Sequence, residues 1–131
     1  MNSIVHFEIQ AGDTQRAMAF YQAVFGWEFE DYSQFAGSPY WGVITKQEGQ
    51  PGINGGLLPR VAPVADVHTS PRAFVCTLAV EDFDAVAARI LEHGGQVALP
   101  KYALPGMAWQ GYFLDSEGNT IGIHQPDENA R

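Results

Sequence analysis

Val5-His6-Phe7-Glu8-Ile9, followed by Asp13 and by a helical stretch that stops at Gly26, has a second copy in the same chain. Phe74-Val75-Cys76-Thr77-Leu78, Asp82 and Gly95 repeat the order, and one shift of 69 residues maps Asp13 onto Asp82 and Gly26 onto Gly95. A repeated module must bury its apolar face against another element, so the repeat organises the whole chain. In the first copy Val5, Phe7 and Ile9 alternate with His6, Glu8 and Gln10, the period of a half-buried strand reading from Ile4 to Ala11. Asp13 or Thr14 caps the following helix, Ala17, Phe20, Tyr21 and Val24 fall at helical spacing, and Gly26 ends it. Strands are expected at Trp27 to Tyr32, Tyr40 to Thr45 and Ile53 to Leu58, the last after the turn Gln50-Pro51-Gly52.

The second copy reads the same way. A strand from Ala73 to Val80 precedes a helix capped by Asp82, with Phe83, Val86, Ala87 and Ile90 on one face and Gly94-Gly95 closing it. Strands Gln96 to Tyr102, Ala108 to Leu114 and Thr120 to His124 complete it, the last two joined by Asp115-Ser116-Glu117-Gly118-Asn119. The expectation is an α+β chain of two βαβββ modules, residues 3–59 and 73–126, with a Pro-containing connection at 60–72, all within one domain spanning 1–131.

Composition narrows the function classes. With 46% hydrophobic and 17% charged residues the chain can bury a core. The net charge of -8 comes from 15 acidic against 7 basic residues, and without a Lys/Arg cluster a nucleic-acid partner is not expected. The first 20 residues include His6, Glu8, Asp13 and Arg16, so neither a signal peptide nor a membrane anchor is read there. Cys76 is the single cysteine, which excludes an intrachain disulfide and, with the rest, places the protein in the cytoplasm. By strand phase Cys76 turns with Phe74 and Leu78 toward the helix, as a core residue. His93 falls in the last helical turn, where the helix dipole favours it. His68 lies in the connection.

His6 with Asp13, Ala19-Phe20-Tyr21, Val24-Phe25-Gly26-Trp27 and the closing Asp115-Ser116-Glu117-Gly118-Asn119-Thr120-Ile121 together resemble the vicinal oxygen chelate superfamily, which includes glyoxalase I, extradiol dioxygenases, fosfomycin-resistance transferases and bleomycin-binding proteins. The resemblance implies that the two modules pair into a cup of mixed sheet with helices outside. It also implies a divalent metal held by His or Glu from strands of both modules, and a dimer. On this chain the first-strand histidine corresponds to His6, but its counterpart in the second copy is Val75. The final-strand glutamate falls on Gly122, and the matching point of the first module lies near Asn54 to Gly56.

One of four ligand positions is thus kept, and a lone imidazole binds a divalent ion weakly. The favoured expectation is a protein that binds a small organic molecule in the cup, without the usual full metal site. His6, Glu8, Trp41, Trp109 and His124 are its candidate contacts, and no metal ligand is assigned. The alternative is a metal-dependent lyase or dioxygenase of glyoxalase type using His6 with Glu8 or His124 as a displaced set. The first copy offers His6, Glu8 and Gln10 where the second has Val75, Thr77 and Ala79, which predicts one polar and one apolar edge to the ligand site. A homodimer is expected from exposed sheet edges.

Overall fold

The structure, a computed structural model, describes residues 3–63 and 73–131, so most of the expected connection, His68 included, lies outside the described residues. The chain divides into two compact units, Met1–Pro63 and Val64–Arg131. Each holds one four-stranded mixed sheet and a principal helix, which is the α+β, βαβββ pattern read from the sequence.

In the first unit the elements are β1 (Glu8–Ala11), α1 (Thr14–Phe25), β2 (Glu28–Asp31), a short α2 (Ser33–Ala36), β3 (Trp41–Ile44) and β4 (Gly55–Pro59). The sheet order is β1-β4-β3-β2, with β1 parallel to β4 and the other pairs antiparallel. The Asp13 carboxylate accepts the Arg16 N–H at 3.0 Å, which satisfies a donor that the first turn leaves open. Gly26 closes α1 at φ 72, a left-handed value that costs other residues energy. Ala17, Phe20, Tyr21 and Val24 are buried, as their spacing predicted, and Ile9, Val43 and Leu57 complete the core on the sheet side.

Two local features differ from the sequence reading. The short helix α2 was not anticipated. The first strand begins at Glu8 rather than Ile4, leaving Ile4 and Val5 76% and 78% exposed. Its partner strand explains this: upstream of Gly55 the chain turns toward Thr45, whose N–H donates to Asn54 Oδ1 and whose hydroxyl donates to the Ile53 carbonyl. Those groups are therefore not offered to residues 4–6.

The second unit contains β5 (Cys76–Ala79), α3 (Phe83–Glu92), β6 (Gln96–Leu104), β7 (Ala108–Leu114) and β8 (Thr120–Pro126), in the order β5-β8-β7-β6 with β5 parallel to β8. Asp82 repeats the cap of Asp13, accepting the Ala85 N–H at 3.0 Å. The repeat is not gapless at the helix end. Here Gly94 adopts the positive φ of 96, while Gly95 serves packing, since a Cβ on it would stand 2.4 Å from Ile90 Cγ2 and 2.8 Å from the Leu114 carbonyl. Asp115 organises the final turn by accepting the N–H groups of Glu117 and Asn119, both at 2.8 Å.

Cys76 corrects another expectation. It pairs with the buried Ile121 and so has the predicted strand phase, yet it is exposed, as is Phe74. Among the described residues strand β5 is an edge bonded only to β8, and α3 packs over β6, β7 and β8.

Candidate functional site

Strand register sorts the side chains of the first sheet. Ile9, Leu57, Trp41 and Val43 lie on the face that α1 covers, and Glu8, Gly56, Gly42 and Glu30 form a cross-strand row on the other. Glu8 therefore lies on the free face, as strand alternation predicted. Trp41 does not. As the partner of Leu57 it lies on the helix side of the sheet, away from the Glu8 row.

The two glycines of the row leave room that aromatic rings take up. A Cβ on Gly56 would stand 1.9 Å from the Tyr40 hydroxyl, and one on Gly42 would stand 2.5 Å from Tyr32 Cε2. The Tyr40 hydroxyl donates to Glu8 Oε2 at 2.9 Å and lies 3.0 Å from His6 Nε2. A hydroxyl has one proton, and an ionised carboxylate only accepts, so with the Tyr40 proton on Glu8 the His6 ring must donate through Nε2–H. Tyr32 likewise donates to Glu30. Burial, then the hydrogen bond and negative charge of Glu8, hold the Tyr40 pKa above its ordinary value, so the hydroxyl remains a donor at neutral pH. His6 and Glu8 are about half exposed, and His6 Nε2 lies 3.7 Å from Glu8 Oε2, an ion pair whenever His6 is protonated.

The second sheet has an analogous face. Thr77 pairs with Gly122, Gln110 with His124 and Tyr112 with Gly122, which sets Thr77, Gln110, Tyr112 and His124 on the face away from α3. His124 Nδ1 and Gln110 Oε1 are 2.8 Å apart, and Gln110 is 5% exposed. Burial, then the neighbouring Tyr112, hold the Tyr102 pKa above its ordinary value. This corrects the apolar edge expected from Val75, Thr77 and Ala79, because the polar groups come from β6, β7 and β8 rather than from the strand that repeats β1. Trp109, like Trp41, has the parity of the helix side. It lies on the α3 side, under Lys101 Nζ at 4.6 Å from its ring centre, and donates its indole N–H to Asp127 Oδ2 at 2.9 Å. The Asn129 backbone N–H, then that indole, hold the Asp127 carboxyl below its ordinary value.

These residues do not fit a chelated divalent metal. Gly56 is the cross-strand partner of Glu8 and Gly122 that of Thr77, so the two glycines are equivalent points of the two modules. At each, the space a longer donor side chain would need is occupied: by Tyr40 at Gly56, and at Gly122 by Thr77 Oγ1 at 2.6 Å, Tyr112 Cε1 at 2.9 Å and Gln110 Nε2 at 3.2 Å from the Cβ position. Among the described residues no three His, Cys, Asp or Glu side chains gather in a set that could hold a metal ion. Sequence reading names His6, Glu8 and His124 as candidates and does not name Tyr40, Tyr32 or Gln110, which the structure sets on the same two faces. The available signal was parity, since Tyr40 stands two residues before Gly42 on a predicted strand.

The family model for the Glyoxalase/Bleomycin resistance protein/Dioxygenase superfamily matches residues 3–123. "Putative glyoxylase CFP32" of Mycobacterium bovis is 25% identical over 124 residues, covering 93% of this chain, which spans only 45% of that relative. Among solved structures, TnmS3, an antibiotic binding protein from Streptomyces sp. CB03234, is 25% identical at a TM-score of 0.67, covering 97% of this chain and 98% of that one. The fosfomycin resistance protein FosX from Listeria monocytogenes shares the fold at a TM-score of 0.72 and 17% identity, with 97% and 93% covered.

Proposed function

Because the chain belongs to the Glyoxalase/Bleomycin resistance protein/Dioxygenase superfamily, we propose that it binds a small organic molecule on the free sheet face carrying His6, Glu8 and Tyr40, without a full metal-ligand set. The observation that carries this reading is the Tyr40 hydroxyl seated on Gly56 and bonded to both His6 and Glu8. Preorganised polar groups beside an aromatic ring are what an organic ligand needs for orientation and contact area. The likeness to TnmS3, described as an antibiotic binding protein, supports a binding role. His124 with Gln110 supplies comparable groups on the second sheet.

A fragment library screened by protein-observed NMR tests the proposal. Hits are expected to shift His6, Glu8 and Tyr40, and Glu8→Gln is expected to weaken them about tenfold, the worth of a charge-assisted hydrogen bond. Hits confined to the helix-covered faces, or none at all, would sink it. The second reading is a metal-dependent lyase or dioxygenase using His6 with Glu8 or His124, supported by the glyoxylase name of CFP32.

The working form proposed is a cytoplasmic homodimer. No helix among the described residues is long and apolar enough to cross a membrane. Ile4, Val5 and Phe74 are exposed beside the edge strands β1 and β5, the kind of apolar edge that a second copy covers. Light scattering is expected to give twice the chain mass, and Val5→Asp with Phe74→Asp to halve it; a monomeric wild type would contradict this.

A further inference from the structure

Resting on the reading of the His6–Glu8 face as the ligand face, we infer that Tyr40 closes this face to divalent cations and organises it in their place, leaving a site for a ligand group that donates hydrogen bonds. A metal would need the Nε2 lone pair of His6, an oxygen of Glu8 and at least one further donor. Here the Tyr40 proton is committed to Glu8 Oε2, and His6 Nε2 carries its own proton toward the hydroxyl. An ion entering would have to break both bonds, displace the proton from Nε2 and evict a ring for which Gly56 leaves room. It would then find two donors, since among the described residues no third His, Cys, Asp or Glu completes a set.

What Tyr40 leaves open is chemically one-sided. Glu8 Oε1 and neutral His6 Nδ1 make no hydrogen bond to the described residues, and both are acceptors. The matching ligand group carries N–H donors, an ammonium or amidinium, rather than the adjacent oxygen pair that a metal chelates.

Protein carrying 15N-labelled histidine tests this through the His6 ring signals. Neutral His6 is expected in the Nε2–H tautomer, and Tyr40→Phe, which keeps the ring over Gly56 and removes the hydroxyl, is expected to shift it toward the mixture of a free imidazole. Stoichiometric Mn(II) alone is expected to leave the His6 signals unbroadened. Benzamidinium is expected to move them and benzoate, its anionic analogue, to leave them in place. An Nδ1–H tautomer in the wild type, selective broadening of His6 by Mn(II), or a response to benzoate alone would overturn the inference. If the tautomer and Mn(II) results hold while neither organic probe nor any library fragment reaches this face, the ligand reading fails and the exclusion of metal stands by itself.

Discussion

Phe83→Ala is expected to cost the second unit about 3–5 kcal/mol of unfolding free energy, the range for emptying a buried phenylalanine site. Phe83 is 2% exposed and opens α3 immediately after its Asp82 cap. Its ring lies against Gly111, where a Cβ would stand 2.7 Å from Cζ, and its centre is 6.2 Å from that of Phe113. Its backbone N–H donates to Gln125 Oε1 at 2.7 Å, tying the helix start to β8. Alanine keeps the backbone bond and empties the ring site, which rigid neighbouring strands cannot collapse to fill. Whole domains are stable by roughly 5–15 kcal/mol, so the variant should unfold at far lower denaturant. A loss below about 1 kcal/mol in chemical denaturation would show that α3 does not depend on this ring.

Gly55→Ala should cost about 3 kcal/mol, at the upper end for overpacking a tight site. The glycine has no positive φ, so alanine would otherwise stabilise the fold by restricting the unfolded chain. Sterics reverse the sign: the new Cβ would stand 2.4 Å from the Phe7 carbonyl oxygen and 2.8 Å from two ring atoms of Phe7. That carbonyl accepts the Gly56 N–H at 2.9 Å, so relief requires β1 to move from β4 and to carry Glu8 with it. Gly26→Ala serves as the contrast. Nothing lies within 4 Å of its Cβ position, and only the left-handed φ of 72 opposes it, at about 1–2 kcal/mol. Equal or smaller loss at Gly55 than at Gly26, read from denaturation midpoints, would contradict the packing account.

What could be read from the sequence was local and periodic. Asp13 and Asp82 announce their helices because capping chemistry acts within three residues, and the Ala17, Phe20, Tyr21, Val24 spacing shows which face of α1 is buried. Strand parity likewise put Glu8 on the free face. Cross-strand register was not readable. Trp41 and Trp109 look alike in sequence to aromatic wall residues, and only their pairing with Leu57 and Gln125 shows that both belong to the helix sides. Tyr40 is not legible for a related reason, because its placement depends on Gly56, sixteen residues away and on another strand. The repeat itself predicted architecture well and side-chain chemistry poorly: Val75 in place of a second His6 suggested an apolar second face, whereas Gln110, Tyr112 and His124 make it polar from other strands.

We propose that this face recognises an organic ligand through Tyr40, Glu8 and His6 rather than through a metal ion. It is tested most directly by titrating the tightest-binding library fragment calorimetrically in chelator and again in saturating Mn(II) or Zn(II). The same affinity is expected in both, with a loss of at least about tenfold on Glu8→Gln in each. Binding that appears only with the metal, and that survives Glu8→Gln, would contradict it.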